Sequence, residues 1–199
     1  MENKRIVVKI GTSTLAHPSG LLNIRRVEEL CRVLSDLKNA GHEIILVSSG
    51  AIGMGAGKLS LPHRPEDTPT KQAAAAVGQC RMMHIYDKLF AEYNRTVAQI
   101  LLTGEDVESP VRSEHLHNTF EALLELGVIP VVNENDSVSS AEIETGQCKV
   151  LGDNDTLSAI VARLCGAGLL VLFSDIDGLY DADPRTHPDA RLIHQVEAI

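Results

Sequence analysis

Apolar residues recur along this chain in two alternating patterns. Short, nearly continuous apolar runs stand at Arg5–Ile10, Glu43–Ser48, Val97–Leu102, Val128–Val132 and Leu169–Phe173. Runs of this length, rich in Val, Ile and Leu and bounded by turn residues, read as buried strands of a parallel sheet. Between them the period changes to that of a helix. Asn23 is a plausible N-cap for a helix with apolar positions at Val27, Leu30, Cys31, Leu34 and Leu37, stopping at Ala40-Gly41. Thr68-Pro69 opens a long helix running to Tyr93, with proline well placed at its first position and Ala73–Ala76 small enough for close packing against another backbone. Leu116, Phe120, Leu123 and Leu124 mark a helix that ends at Gly127, and Leu157–Cys165 marks another.

The remaining stretches read as loops. Leu59–Pro69 is rich in proline and charge, and Ser49–Gly57 is a glycine-rich loop following a strand. Val138–Leu151 has the polar alternation and Thr145-Gly146 turn of an exposed hairpin. Strands alternating with helices predict an α/β fold, a three-layer αβα sandwich around a mainly parallel, doubly wound sheet. Such sheets bind ligands at the carboxyl ends of their strands. Lys9, Ser49, Asn133–Asp136 and Ser174-Asp175 all fall there.

Composition narrows the class. A chain of 199 residues, 44% hydrophobic and 23% charged, is the size of one globular domain over residues 1–199. With 3% aromatic residues and no tryptophan, the core is expected to be Ala, Leu and Val. A net charge of −9 without a basic cluster excludes a nucleic-acid surface, so any phosphate is bound locally. The start of the chain has no apolar leader, and no stretch is long enough to span a bilayer, so a cytoplasmic protein without membrane contact is expected. Cys31, Cys80, Cys148 and Cys165 are widely scattered and read as free thiols.

The candidate chemistry begins at Lys9. The first strand breaks into Gly11-Thr12-Ser13, where backbone N–H groups can hold an anion while Lys9 neutralises it. The same segment also fits a buried strand whose lysine reaches out to water, and alone it leaves both readings open. Gly53–Gly57 does not match a dinucleotide fingerprint, because the glycines fall in the wrong order and no acid follows a second strand at the usual distance. No serine sits in a G-x-S-x-G elbow, and no histidine has a metal-ligand spacing. Separately, the Asp and Asn clusters are ordinary turn formers, and Asp155 or Thr156 an ordinary helix cap. Together, a lysine, glycine loops, an acid-amide cluster and a helix N-terminus at Asp155 suit an anionic ligand with a polar organic substrate beside it.

Six segments carry a resemblance: Val8–Ser13, Ser48-Ser49-Gly50-Ala51, Ala75-Ala76-Val77-Gly78-Gln79, Asn133-Glu134-Asn135-Asp136, Gly152-Asp153-Asn154-Asp155 and Asp175–Tyr180. Nearly the whole chain resembles the amino-acid-kinase family, and the Asn-Glu-Asn-Asp and Gly-Asp-Asn-Asp segments resemble its glutamate kinases in particular. The resemblance implies transfer of the ATP γ-phosphoryl group to the side-chain carboxylate of L-glutamate, the first step towards proline. It implies that Lys9 meets the transferring phosphate and that Gly11, Thr12 and Ser13 hold phosphate oxygens. Ser49, Gly50, Ala51, Asp136 and Asn154 would bind glutamate, with Asp136 on the α-ammonium. Asp155 would organise the lysines, and Ser174, Asp175 and Tyr180 would border the nucleotide. Mg²⁺ would ride on the ATP phosphates, with no dedicated protein ligands. Further implications are a homo-oligomer, feedback inhibition by proline and hand-off of the product to γ-glutamyl phosphate reductase.

Two departures from the family pattern stand out. Glu144–Leu151 is expected to make a longer hairpin than usual. Family members also continue past the position of Ile199 with a second catalytic lysine and much of the adenine site, and many add an RNA-modification-type (PUA) domain. The chain is therefore expected to be a truncated kinase domain without that addition, weak in turnover. An aspartokinase, a nucleoside-monophosphate kinase, or a non-catalytic glutamate- or proline-binding module are the alternatives.

Overall fold

The computed structural model describes residues 4–15, 22–138 and 154–196. Five strands, β1 (Arg5–Ile10), β2 (Glu43–Ser48), β3 (Val97–Leu102), β4 (Ile129–Glu134) and β5 (Leu169–Leu172), form one sheet in the order β3-β4-β2-β1-β5. Every pairing is parallel. The helices are α1 (Thr12–Leu15), α2 (Ile24–Asn39), α3 (Ala51–Lys58), α4 (Thr68–Ala91), α5 (Gly104–Glu108), α6 (Pro110–Glu125) and α7 (Asn154–Leu164). The hairpin expected between Val138 and Leu151 lies, from residue 139 on, outside the described residues, as does Cys148.

Side chains alternate across the sheet and split the core into two layers. Ile6, Val8 and Ile10 of β1, Ile44 and Leu46 of β2, and Ile129 and Val131 of β4 pack under α2 and α4, against Leu34, Tyr86 and Phe90. Their neighbours Val7, Ile45, Val47 and Val132 pack on the opposite face under α6 and α7, against Phe120, Leu124, Leu157 and Val161. The central strands β1, β2 and β4 are thus covered on both sides, which is why they read as continuous apolar runs; β5, expected to be buried as well, lies at the sheet edge with Leu169 and Leu172 exposed. Asn23 caps α2, its side chain accepting from Arg26 N, and Asp67 caps α4 in the same way from Thr70 N at 2.9 Å. Arg5 anchors β1 from below, donating to Glu43 at 2.7 Å, to both oxygens of Glu121 on α6, and to the Cys165 carbonyl after α7. Cys31, Cys80 and Cys165 are free, and burial pushes the thiols of Cys31 and Cys165 up to about 12.

The structure corrects the sequence reading at two turns. Thr12-Ser13 begins the short helix α1, and the glycine-rich stretch after β2 is not a loop but helix α3. Glycine is a poor helix former, and the reason for its presence is the contact with α4. A Cβ on Gly55 would sit 1.7 Å from the Ala74 carbonyl oxygen, and one on Gly78 would sit 1.7 Å from that of Ala51. The two helices therefore touch backbone to backbone, with Ala74 and Ala75 buried between them. The small-residue run of α4 meets a small-residue helix, as its alanines had indicated.

This contact separates two kinds of glycine. Gly78→Ala should destabilise the fold by at least about 3 kcal/mol, because backbone rather than a movable side chain must give way. Gly53→Ala, whose Cβ would meet nothing within 4 Å, should instead stabilise it by up to about 1 kcal/mol. Denaturant midpoints of the two variants test this, and equal effects would refute the packing. A second expectation concerns acid. The hydrogen bond from Arg5 holds the Glu121 carboxyl below its ordinary range, so the stability it contributes is full above that range and lost as pH falls through the depressed folded value. Glu121→Gln should lower stability at pH 7 and flatten its decline between pH 5 and 3, read from melting temperatures across that window.

Candidate active site

The alternation that divides the core also aims the polar residues at the sheet's carboxyl edge. Lys9 shares the face of Val7 and so points towards α7, where its Nζ lies 2.6 Å from Oδ1 of Asp155. The lysine side chain is only 13% exposed, whereas Asp155 is half open to solvent. Asp155 stands in the first turn of α7, where a carboxylate is favoured by the helix dipole. Its backbone carbonyl accepts from the Ser158 hydroxyl at 2.7 Å. The sequence left two fates for Lys9 open; the geometry gives it an acid partner at the strand end, with Gly11 following directly.

Ser48 takes the other face. Fully buried at the end of β2, its hydroxyl lies 2.8 Å from the Tyr86 hydroxyl of α4, whose phenol burial pushes well above its ordinary range. The next residue, Ser49, donates to the Ile10 carbonyl at 3.3 Å and so joins the ends of β1 and β2. Gly50 then turns through the left-handed region, φ 101°, and caps the N-terminus of α3 without a side chain. The first N–H groups of α3 therefore begin beside Ser49 with no side-chain cap.

At the end of β4, Asn133 has the parity of Ile129 and Val131 and faces α4. Its Nδ2 donates to Gln79 Oε1 at 3.1 Å, and both residues are buried. Beyond them opens a cleft of about 340 Å³ lined by Ala51, Ala75, Gln79, Glu134, Asn135 and Asp136 among others. Two of the expected glutamate residues, Ala51 and Asp136, thus meet in one cleft, whereas Ser49 lines a separate pocket with Ser48, Met82 and Tyr86. Asn154 opens α7, half-buried, one residue before the partner of Lys9.

The residues expected at the nucleotide lie elsewhere along the same edge. Ser174 and Asp175 follow β5, on the side of β1 away from the cleft, and both are exposed. Ser174 Oγ accepts from Ile176 N at 3.4 Å, and Asp175 pairs with Arg185 at 2.6 Å. Tyr180 forms an antiparallel bridge with Leu192. Phe173 N donates to the Lys9 carbonyl at 3.0 Å, so this segment starts from the same strand end as the lysine. Gln79 and Asn133 had no role in the sequence reading beyond their motifs. The available signal was a polar residue on the buried face of an otherwise apolar helix and an amide at the buried parity of β4.

The arrangement separates charge. A lysine, a glycine turn and an uncapped helix end suit an anion on the β1–β2 side, while Asp136 and Glu134 suit a cation on the β4 side. A small zwitterion has that polarity.

Comparison with known proteins bears on the same architecture. The chain is 53% identical to the glutamate 5-kinase of Clostridium perfringens over 198 residues, covering 100% of this chain and 73% of that relative. It is 56% identical to the glutamate 5-kinase of Clostridium tetani, covering 98% and 71%, and 52% identical to that of Listeria innocua, covering 99% and 71%. Among solved structures, UMP kinase from Ureaplasma parvum superposes with a TM-score of 0.62 at 15% identity over 96% of this chain and 75% of that one. Isopentenyl phosphate kinase from T. acidophilum does so with a TM-score of 0.60 at 18% identity over 94% and 76%. At these identities the two structures share the fold alone. A family model described as the amino acid kinase family matches residues 4–199, and the chain belongs to that family.

Proposed function

We propose that the protein is an ATP-dependent glutamate 5-kinase, transferring the γ-phosphoryl group of ATP to the side-chain carboxylate of L-glutamate. The observation that carries the reading is the Lys9–Asp155 pair at the carboxyl end of β1, two strands from a cleft that holds Asp136. Two strand spacings are about 10 Å, a span a small amino acid and a phosphoryl group bridge together. Identity above 50% to glutamate 5-kinases along the whole chain supports the same substrate.

The chemistry asks little of an acid or base. A glutamate side chain has an ordinary pKa of ~4.3 and is ionised at neutral pH, so a carboxylate oxygen attacks the γ-phosphorus directly as the bond to the ADP oxygen breaks. Both reactants are anions, and catalysis consists of positioning and charge neutralisation. Lys9 supplies the cation, and Asp155 holds its amine at the strand end. Gly11 and the Thr12-Ser13 backbone take phosphate oxygens, and Ser174, Asp175 and Tyr180 border the nucleotide. Ser49, Gly50, Ala51 and Asn154 position glutamate, with Asp136 on its α-ammonium. Mg²⁺ carried on the ATP phosphates would neutralise part of their charge, as this ion does when bound chiefly through substrate oxygens.

The same reading makes residues 1–199 a kinase domain of a cytoplasmic homo-oligomer that proline inhibits and that hands its product to γ-glutamyl phosphate reductase. No helix among the described residues is long and apolar enough to cross a membrane.

Trapping the acyl phosphate as hydroxamate, with glutamate and aspartate side by side, tests the reaction. Glutamate should be the better acceptor, and a preference for aspartate would overturn the substrate. In a chain with its full nucleotide site, Lys9→Ala should lower kcat by about 10³-fold, with the glutamate KM within a few-fold, because its charge acts chiefly in the transition state. An unchanged kcat with a raised KM would remove Lys9 from the phosphate.

A further inference from the structure

We propose that Gln79 is a specificity residue of this site, presenting its side-chain N–H₂ group to the α-carboxylate of the amino-acid substrate. The inference rests on the glutamate reading above and adds to it a contact on which the discrimination of the substrate's α-end depends.

The starting observation is an unmatched donor. Gln79 is only 6% exposed, its Oε1 accepts from Asn133 Nδ2 at 3.1 Å, and its Nε2 has no hydrogen-bond partner among the described residues. A buried amide nitrogen without a partner is a cost to the fold, and few such groups persist in native proteins. Asn133 fixes the orientation: by occupying the oxygen of the amide it commits the nitrogen to the remaining direction. Gln79 lines the cleft, so a ligand there can supply the acceptor that the described residues do not.

The identity of that acceptor follows from the rest of the cleft wall. Glu134 and Asp136 are carboxylates and suit the ammonium of an amino acid, not its carboxylate. Asn135 is engaged through Oδ1, which accepts from the Ser137 hydroxyl at 2.6 Å, so the one hydroxyl proton of Ser137 is spent within the wall. The amides of Asn135 and Gln99 also line the wall, but Asn135 is half-buried and Gln99 exposed, whereas Gln79 Nε2 is buried there with no partner for either proton among the described residues. Of the two carboxylates of glutamate, the reacting one belongs near Lys9 on β1. Gln79 stands with Asn133 at the end of β4, beyond β2 from that lysine. The substrate group within its reach is therefore the α-carboxylate, next to the ammonium that Asp136 faces.

The chemistry predicts a change of preference and not merely a loss of affinity. Isothermal calorimetry compares L-glutamate with its α-carboxamide, which keeps the ammonium and the side-chain carboxylate, on the parent chain, Gln79→Leu and Gln79→Glu. The parent should bind glutamate more tightly. Gln79→Leu should weaken glutamate by about 10-fold to 100-fold, the usual range for a hydrogen bond to a charged group, and narrow the preference. Gln79→Glu still offers Asn133 an acceptor, which keeps the buried pair intact, but sets a carboxylate against a carboxylate; it should favour the α-carboxamide, whose N–H₂ can donate to the introduced group. Thermal melts confirm that each variant is folded. A shift of preference of 10-fold or more in Gln79→Glu supports the assignment. Folded variants that keep the parental preference overturn it while leaving the substrate reading standing. A folded parent that binds no glutamate overturns both.

Discussion

Side-chain alternation along five parallel strands is the constraint on which the rest of this molecule depends. Both faces of the central strands β1, β2 and β4 are buried, so each of their residues is assigned to one helix layer by its parity alone. The rule continues past the core into the polar ends. Lys9 follows Val7 to the α7 layer and meets Asp155, whereas Ser48 and Asn133 follow the opposite parity to α4 and meet Tyr86 and Gln79. A slip of one residue in β1 would exchange Lys9 with a core valine, burying the cation under α2 and α4 and leaving Asp155 without it.

A second constraint is the backbone contact between α3 and α4. It sets the height at which α3 begins, and so the position of Gly50 and Ala51 above the strand ends. Because Ala51 and Ala75 both line the cleft, its wall is built from the same small residues that let the helices touch. Cleft wall and packing surface are here one surface, and larger side chains at these positions would spread the helices and fill the cleft together.

Electrostatically the edge runs from a lysine at β1 to carboxylates at β4, within a chain of net charge −9. An anionic nucleotide would not be drawn to such a protein by its overall field; in the proposed reading it is local donors, a cation and backbone N–H groups, that hold it. That suits a reaction between two anions, in which a few oriented charges at the point of transfer matter more than the sign of the surface. The amides at Asn133 and Gln79 add orientation without adding charge.

The strands, four principal helices, the Asn23 cap and the Pro69 helix start were legible in the sequence because each rests on a local rule: period, length, capping chemistry and proline's fixed φ. The candidate residues at the strand ends were legible for the same reason, since a doubly wound sheet brings them to one edge whatever its strand order. Several local readings were misled, among them Thr12-Ser13, a turn in the sequence and a short helix in the structure. Ser49–Gly57 looks like a loop because glycine disfavours a helix, and only the α4 backbone lying against it makes glycine necessary there. α5 and the start of α6 were likewise missed, being a single capped turn followed by a polar helix face with weak periodicity. The resemblance had already implied Asp155 beside Lys9, but tertiary structure alone decided the other partners: Tyr86 for Ser48 and Asn133 for Gln79. Those pairs join residues dozens of positions apart, and no local rule specifies them. They arise because strand order and pleat parity, fixed only when the sheet assembles, choose the helix each side chain can reach.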